Sequence, residues 1–214
     1  MSDVFPKWTN RLPLNLALGV LLVGTGLAIG ITYYFTPKYT RVGYRPAQPT
    51  AFSHNVHVSQ VGMDCRYCHS SVEKSWYSNL PATSTCMNCH DQILKNDPRL
   101  AVVRDSALSG EPIPWVQVHK LPDFVYFNHA VHVNRGVSCL ECHGQVNKMD
   151  EVAVAKPLSM AFCLDCHRNP SQRLRPLDKI TQLDWLPTTN SAQGDAIRRD
   201  WKIQSLTSCS TCHR

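Results

Sequence analysis

The chemistry of this chain is carried by its ten cysteines, which occur as five pairs. Two residues separate the members of every pair, and a histidine directly follows every second cysteine. This C-x-x-C-H pattern is typical of covalent haem attachment, in which two thiols form thioether bonds and the histidine becomes the proximal iron ligand. The five units are motif 1 (Cys65, Cys68, His69), motif 2 (Cys86, Cys89, His90), motif 3 (Cys139, Cys142, His143), motif 4 (Cys163, Cys166, His167) and motif 5 (Cys209, Cys212, His213).

Paired cysteines have two other common uses, disulfide frameworks and zinc sites. Histidine accounts for only 10 of the 214 residues, so its presence after all five pairs is not a coincidence. No cysteine lies outside the five motifs, so none remains for a disulfide or for a separate zinc thiolate. The sequence therefore predicts five covalently bound haem c groups.

Five histidines lie outside the motifs, and four of them belong to a repeat. Residues 52–58 read FSHNVHV and residues 127–133 read FNHAVHV, and two haem motifs follow each stretch. Residues 52–90 and 127–167 are therefore predicted to be duplicated two-haem modules. Histidines three residues apart lie on one side of a helical turn but diverge, so each pair can serve two neighbouring haems. The predicted distal iron ligands are His54, His57, His129 and His132.

The distal ligand of the fifth haem has two candidates. His119 is the one remaining histidine, and it could instead hydrogen-bond a haem propionate. Met160 lies three residues before Cys163. Methionine ligation raises the potential of a haem above that of a bis-histidine haem. The choice between His119 and Met160 therefore decides which haem has the highest potential, and the sequence leaves both open.

The N-terminal segment 1–36 is predicted to be a membrane anchor. Residues 14–34 are apolar apart from Asn15, Thr25 and Thr32, and a helix of that length crosses a hydrocarbon layer of about 30 Å. A cleavable signal peptide has a shorter apolar core, followed by a small-residue cleavage site. The apolar run of this chain is longer, and no such cleavage site follows it. Haem is attached outside the cytoplasm, so the N-terminus is predicted to lie inside.

The remaining chain is predicted to be mainly α-helical and loop-rich, a haem-packed extracytoplasmic domain. About 36 residues per haem are too few for separate cores of ordinary size, so the porphyrins must supply much of the buried apolar surface. Residues 191–204 are predicted to form the longest helix, and residues 124–127 are the best candidate for a strand. The predicted segments are a linker at 37–51, the two modules, a connector at 91–126 and a C-terminal part at 168–214.

The formal charge of +6 does not indicate a nucleic-acid partner. Each haem brings two propionates, so five ferric haems add about −5 and leave the protein near +1. The basic side chains thus offset the charge of the cofactors, and no nucleic-acid binding is expected.

With its N-terminal apolar segment, its two F-x-H-x-x-H repeats and its five motifs, the chain resembles the pentahaem cytochrome subunit of alternative complex III. The stretches LPDFVYFNH at 121–129 and PLSMAFC at 157–163 also carry this resemblance. The F-x-H-x-x-H pattern is similar to that of class III multihaem cytochromes and of a quinone reductase complex of sulfate reducers.

The resemblance implies an electron-transfer subunit of a quinol-oxidising complex in the bacterial inner membrane. The implied partners are an iron–sulfur subunit, integral membrane quinol-binding subunits, and a monohaem cytochrome c or another soluble acceptor on the periplasmic side. Since each haem has a candidate sixth ligand, the chain is expected to have no substrate site of its own. The alternative is a membrane-anchored multihaem quinol dehydrogenase that acts directly on quinol.

Overall fold

The computed structural model describes residues 6–35, 41–186 and 192–213, and the chain divides into two compact units, Met1–Val42 and Gly43–Arg214. The first unit contains a short 3-10 helix, Lys7–Arg11, and helix α1, Leu12–Phe35. Helix α1 has 24 residues, or about 36 Å of length. It is the one helix in the described part of the chain that is long and apolar enough to cross a membrane. Residues 36–40, which are the end of the predicted anchor segment and the start of the predicted linker, lie outside the described residues.

The second unit is built from short helices joined by loops, which confirms the predicted fold class. The histidine segment of the first module forms a π-helix, Asn55–Gln60. Strand pairing in the described residues is limited to one isolated antiparallel bridge, between Val137 and Leu174. The α-helices are α2 (Cys65–Cys68), α3 (Thr83–His90), α4 (Ala101–Ser109), α5 (His129–Val133), α6 (Cys139–His143), α7 (Met160–Arg168), α8 (Ala192–Asp200) and α9 (Cys209–Cys212). Single-turn 3-10 helices occur at Pro98–Leu100, Val146–Lys148, Pro170–Arg173 and Leu177–Lys179.

The predicted strand at 124–127 is wrong. The backbone N–H of Val125 bonds to the carbonyl of Pro122 in a turn, and the N–H of Tyr126 bonds to the carbonyl of Cys212 at 2.9 Å. The predicted helix at 191–204 is present as α8 but ends at Asp200, and Ser191 lies outside the described residues. Helix α8 packs so closely on the turn Pro170–Arg173 that a Cβ atom at Gly194 would lie 1.8 Å from the carbonyl oxygen of Ser171.

The apolar core of the second unit is small. In the described residues no large side chain is fully buried, and the buried apolar residues have mostly short side chains. This sparse core is consistent with a fold in which bound porphyrins supply much of the apolar surface. The buried apolar residues are Val103, Ile113, Val133, Ala153, Val154, Leu174, Ile180 and Leu183.

Candidate haem-attachment sites

Each of the five motifs lies on a short helix that gathers its reactive groups. The two cysteines stand three residues apart on one helical turn, and the histidine lies within the last two helical residues or just beyond the helix. Residues three and four apart share one face of a helix, so both thiols and the imidazole point to the same side. Side-chain caps begin three of these helices: the Asp64 carboxylate, the Ser138 hydroxyl and the Ser159 hydroxyl accept from backbone N–H groups.

None of the ten cysteines, all of which lie in the described residues, forms a disulfide bond. Burial raises the pKa of Cys142 to about 11, and burial also raises the pKa values of Cys68 and Cys86. A redox-active dithiol needs the opposite, a lowered thiol pKa in an electropositive setting. The raised pKa values of Cys68, Cys86 and Cys142 therefore disfavour the thiolate form that a redox-active dithiol or a zinc site needs.

Four of the five motif histidines have a fixed ring orientation. Their Nδ1 atoms lie 2.9–3.1 Å from backbone carbonyl oxygens. A carbonyl oxygen only accepts hydrogen bonds, so Nδ1 carries the proton and Nε2 keeps its lone pair for a metal. The pairs are His69 with Asn79, His90 with Ile93, His167 with Leu206, and His213 with Phe124.

The second histidine of each repeat faces the motif predicted for it. The ring centroids of His57 and His90 are 6.1 Å apart, and those of His132 and His167 are also 6.1 Å apart. Metal–imidazole bonds are about 2.0 Å long, so two imidazoles on one iron have centroids roughly 6.4 Å apart. Both pairs therefore leave room for one iron. The Nδ1 atoms of His57 and His132 bond to the carbonyl oxygens four residues earlier, both at 2.8 Å.

The first histidine of the first repeat makes a third such pair. The rings of His54 and His69 are 6.5 Å apart and nearly parallel, at an interplanar angle of 4°. Burial, together with the nearby His69 and His57, lowers the pKa of His54 to about 4. A neutral imidazole is the form that binds a metal. The buried Nδ1 atom of His54 has no hydrogen-bond partner in the described residues, so the argument for an iron here rests on the separation and parallel orientation of the two rings.

The corresponding site of the second module is arranged differently. His129, the counterpart of His54, has its Nδ1 atom bonded to the carbonyl of Trp76 at 2.9 Å. The ring that contacts His143 is that of His119, with centroids 4.5 Å apart at 78°. This separation is roughly 2 Å too short for an iron between the two rings. Burial, with His119 as the next cause, lowers the pKa of His143 to about 3, so His143 is also neutral.

Met160 is the first residue of helix α7, and 68 % of its surface is exposed. Three residues further along the same helix is Cys163. After burial, the neighbouring Cys212 thiol is the second cause of the raised pKa of Cys163, so motif 5 lies next to motif 4. Met160 is therefore on the helix that approaches motif 5, whereas His119 contacts motif 3.

Side-chain contacts connect the five motifs in an order that differs from their order in the sequence. Within the first module, the Asn88 amide of motif 2 donates to the Tyr67 hydroxyl of motif 1 at 3.1 Å. The Cys65 side chain of motif 1 and the Cys139 side chain of motif 3 are close neighbours, since each is the first cause of the shift in the other's pKa. The contacts therefore run from motif 2 to motif 1 and then to motif 3.

The row continues through the second module. Arg173 bonds to Glu141 of motif 3 at 2.9 Å and to Asp165 of motif 4 at 3.2 Å. His167 of motif 4 bonds to the carbonyl of Leu206, three residues before Cys209 of motif 5. The five motifs are thus linked in the order 2, 1, 3, 4, 5.

The histidine segment of each module packs against the other module. In one direction, the Asn55 N–H bonds to the Met149 carbonyl at 3.1 Å and the Ser59 hydroxyl bonds to the Asn147 carbonyl at 2.6 Å. In the other direction, the N–H groups of residues 129 and 130 bond to the carbonyls of residues 76 and 75. Both acceptor segments, 147–150 and 73–76, begin four residues after a motif histidine. The two modules are therefore interlocked.

The sequence alone did not identify Arg173 or Trp76 as parts of the site. One signal was present: Glu141 and Asp165 occupy the same place in the paired motifs 3 and 4, directly before the second cysteine. Two acidic side chains at matching positions indicate a shared cation, although the spacing does not say which residue supplies it. Trp76 acts through its backbone carbonyl, which has no sequence signature.

The C-x-x-C-H motifs lie on short helices, and histidine rings face several of them around a small apolar core. This arrangement defines a multihaem cytochrome c, an electron-transfer protein. The comparisons with known proteins agree. The model of the family described as cytochrome c7 and related cytochrome c matches residues 50–106 and 125–214. The chain therefore belongs to this family.

Two relatives have known roles. The menaquinone reductase multiheme cytochrome c subunit of Nitratidesulfovibrio vulgaris is 41 % identical over 119 residues, which are 55 % of this chain and 56 % of that protein. The acrylate reductase cytochrome subunit of Shewanella woodyi is 25 % identical over 111 residues, which are 52 % of this chain and 68 % of that protein. The chain thus spans little more than half the length of the first relative.

Proposed function

We propose that this chain is an extracytoplasmic electron-transfer subunit that carries five covalently bound haem c groups. The observation that carries the proposal is the set of three facing imidazole pairs, whose separations of 6.1–6.5 Å match the spacing that one iron imposes. The cysteines of the motifs hold the haems, and the motif histidines bind on the proximal side. Bound haem supplies a one-electron redox centre.

The proposed distal ligands are His54, His57, His129 and His132, with Met160 for motif 5. The duplication supports His129, because its counterpart His54 faces His69 at 6.5 Å. Met160 is preferred to His119 because the His119 ring lies against His143 of motif 3, while Met160 begins the helix that carries Cys163. In this proposal the protein holds every iron on both sides, so no open site remains for a substrate.

The contacts between motifs support a single route for electrons, in the order 2, 1, 3, 4, 5. Motifs 2 and 5 are then the two ends at which partners exchange electrons with the chain. The residues along this route hold neighbouring motifs together and exclude water from the buried imidazoles. The route crosses between the modules at the contact of Cys65 with Cys139.

In the same proposal helix α1 is a single-pass anchor in the bacterial inner membrane, with the haem domain in the periplasm. Its length and exposed apolar surface support this role. The complex is proposed to be alternative complex III, in which an iron–sulfur subunit and membrane quinol-binding subunits supply electrons. A monohaem cytochrome c or another soluble carrier would accept them. The name of the first relative, a menaquinone reductase subunit, supports a quinone-linked assembly.

The test is a haem count and a spin-state measurement on the complete protein purified with its partners. We expect five haems per chain and a low-spin spectrum that CO does not change, because each iron has two protein ligands. Fewer than five haems, or a high-spin haem that takes up CO or nitrite, would contradict the proposal.

A second candidate function is direct reaction with quinone, in either direction. The observation that favours it is that the relative with 41 % identity is a subunit of a menaquinone reductase. The complete chain, freed of partners and kept in detergent, can be mixed with a menaquinol analogue. Rapid haem reduction supports direct reaction, whereas reduction only after the partners are restored supports the carrier role.

A further inference from the structure

The two modules join their motifs through the same sequence position but with different chemistry. This position is the residue directly before the second cysteine of each motif. In the first module these residues are Tyr67 and Asn88, which bond directly and carry no charge. In the second module they are Glu141 and Asp165, two carboxylates that cannot bond to each other when ionised.

Arg173 bridges these two carboxylates. Its Nη1 atom lies 2.9 Å from Oε2 of Glu141, and its Nη2 atom lies 3.2 Å from Oδ2 of Asp165. Arg175 approaches the other oxygen of Glu141, with Nη2 at 3.4 Å from Oε1. The Arg175 side chain is only 5 % exposed and the Glu141 side chain 17 % exposed. Two positive and two negative charges therefore balance between motifs 3 and 4, in a cluster that is buried at Arg175 and Glu141 and open to solvent at Asp165, whose side chain is 67 % exposed.

We propose that Arg173 is a positioning residue that clamps motif 3 to motif 4 and sets the potentials of the haems they hold. The inference rests on the proposed function, since it requires haem at both motifs. A guanidinium presents its donors in a planar fork, which lets it hold two carboxylates at once. Glu141 and Asp165 each adjoin an attachment cysteine, so the cluster lies beside the sites where the two haems are held.

The sign of the effect follows from the charges. Reduction adds an electron, so a nearby positive charge stabilises the reduced form and a nearby negative charge destabilises it. Without Arg173 the pair of carboxylates would lose its bridging cation, and both haem potentials would fall. The corresponding residues of the first module, Tyr67 and Asn88, carry no charge, so we expect the removal of Arg173 to shift the potentials of the second module's haems.

The experiment is a potentiometric titration of the complete protein with the substitution Arg173→Gln, in which optical absorption measures the reduced fraction of the haems at each potential. At a fixed potential we expect the ratio of reduced to oxidised haem to fall by about tenfold for two of the five haems, which equals about 59 mV for a one-electron couple. The other three potentials should not change. If all five potentials stay at their wild-type values, the inference is overturned.

Two further substitutions keep the test decisive if Arg173→Gln lowers the yield of folded protein. Arg173→Lys keeps the charge without the two-pronged geometry, and it should return the two potentials towards the wild-type values. Glu141→Gln removes a negative charge, and it should raise the same two potentials. A fall in those potentials with Glu141→Gln would overturn the inference.

The matched control is Arg99→Gln. Arg99 also forms an ion pair, with Asp97 at 2.7 Å, but it lies in the connector away from the motifs. It should leave all five potentials unchanged, and equal shifts from both arginine variants would overturn the assignment. The haem count and spin state of the wild-type protein test the proposed function by themselves, because they do not depend on Arg173. A failure of the inference about Arg173 is therefore distinguishable from a failure of the proposed function.

Discussion

In the first module the ring of Phe52 stacks on His57 at 4.4 Å, and in the second module Phe127 stacks on His132 at 4.5 Å. The interplanar angles are 25° and 29°. The distances from these histidines to the facing motif histidines also agree, at 6.1 Å in both modules. The two repeats therefore share the same geometry around the second histidine, which is a proposed haem ligand in each module.

The surroundings of the first histidine of each repeat differ between the two modules. His54 faces His69 across a gap that fits an iron, whereas His143 has His119 from the connector against it. His129 instead bonds through Nδ1 to the carbonyl of Trp76 in the first module. The difference shows that residues outside a repeat can alter a site that the repeat itself encodes. The sites of His57 and His132 can be tested for equal behaviour, and the sites of His54 and His129 can be tested for which residue binds the iron.

The largest expected effect is the loss of a distal ligand at the second histidine of each repeat. His57→Ala and His132→Ala should each convert one of the five haems to a high-spin form that binds CO, because alanine leaves the iron with one protein ligand. Absorption spectroscopy with and without CO measures this conversion. The two variants should behave alike, and a difference between them would show that the shared geometry does not extend to ligation.

The next comparison concerns the first histidine of each repeat. His129→Ala should give one high-spin haem, as His54→Ala should in the first module, because these residues are the proposed counterparts. His119→Ala should leave all haems low-spin, since its ring is too close to His143 to share an iron in this geometry. If His119→Ala gives a high-spin haem and His129→Ala does not, His119 is the distal ligand and the two modules do not use equivalent ligands.

Replacing Met160 tests the site that has no counterpart in the duplication. Met160→His should lower the potential of one haem, because histidine in place of methionine moves it within the roughly 0.8 V range that axial ligands set. Met63→His is the control, since Met63 lies before motif 1 and is not a proposed ligand. Unchanged potentials in both variants would remove Met160 from the ligand set.

The smallest expected effects concern the residues that cap the first motif helix of each module. Ser138 is 2 % exposed and its hydroxyl donates to the carbonyl of Ile180 at 2.7 Å, so Ser138→Ala should lower the free energy of unfolding by about 1–2 kcal/mol. Asp64 is much more exposed, and Asp64→Asn should cost about 0.5 kcal/mol or less. Denaturant unfolding measures both changes.

The pH dependence separates these two caps. Hydrogen bonding from the Arg66 guanidinium holds the pKa of Asp64 at about 2, below its ordinary value of 3.8. The folded state therefore favours the carboxylate, whose contribution is complete above about pH 4 and disappears as the pH falls through about 2. The difference between wild type and Asp64→Asn should shrink over that range, whereas the Ser138→Ala difference should stay constant. A pH-independent Asp64 effect would contradict this.

Local spacing in the sequence was sufficient to predict the motifs, the repeat and the apolar N-terminal helix. These features depend on residues three or four apart, or on one continuous run, so no distant contact is needed to recognise them. The strand predicted at 124–127 failed because Tyr126 bonds to Cys212, 86 residues further along the chain. No local pattern contains that contact.

Helix α8 shows the same limit at a boundary. It ends at Asp200, four residues before the predicted end, because the N–H groups of Lys202 and Ile203 bond back to the carbonyls of Arg199 and Arg198. Lys202 adopts a left-handed conformation with φ of 51°, a place where glycine is usual. A lysine gives no sequence signal for such an ending. A long-range hydrogen bond and an atypical helix cap thus account for the two errors in the predicted secondary structure.

The exchange of histidine segments between the modules has a consequence for folding. Each half of the protein is completed by hydrogen-bond acceptors of the other, as in a domain-swapped dimer whose two copies have been joined in one chain. The contacts between Asn55 and Asp150 span 95 residues, so the first half cannot reach its final form until the second half has been synthesised. A chain shortened to one module would lack the acceptors for the N–H groups of its own histidine segment.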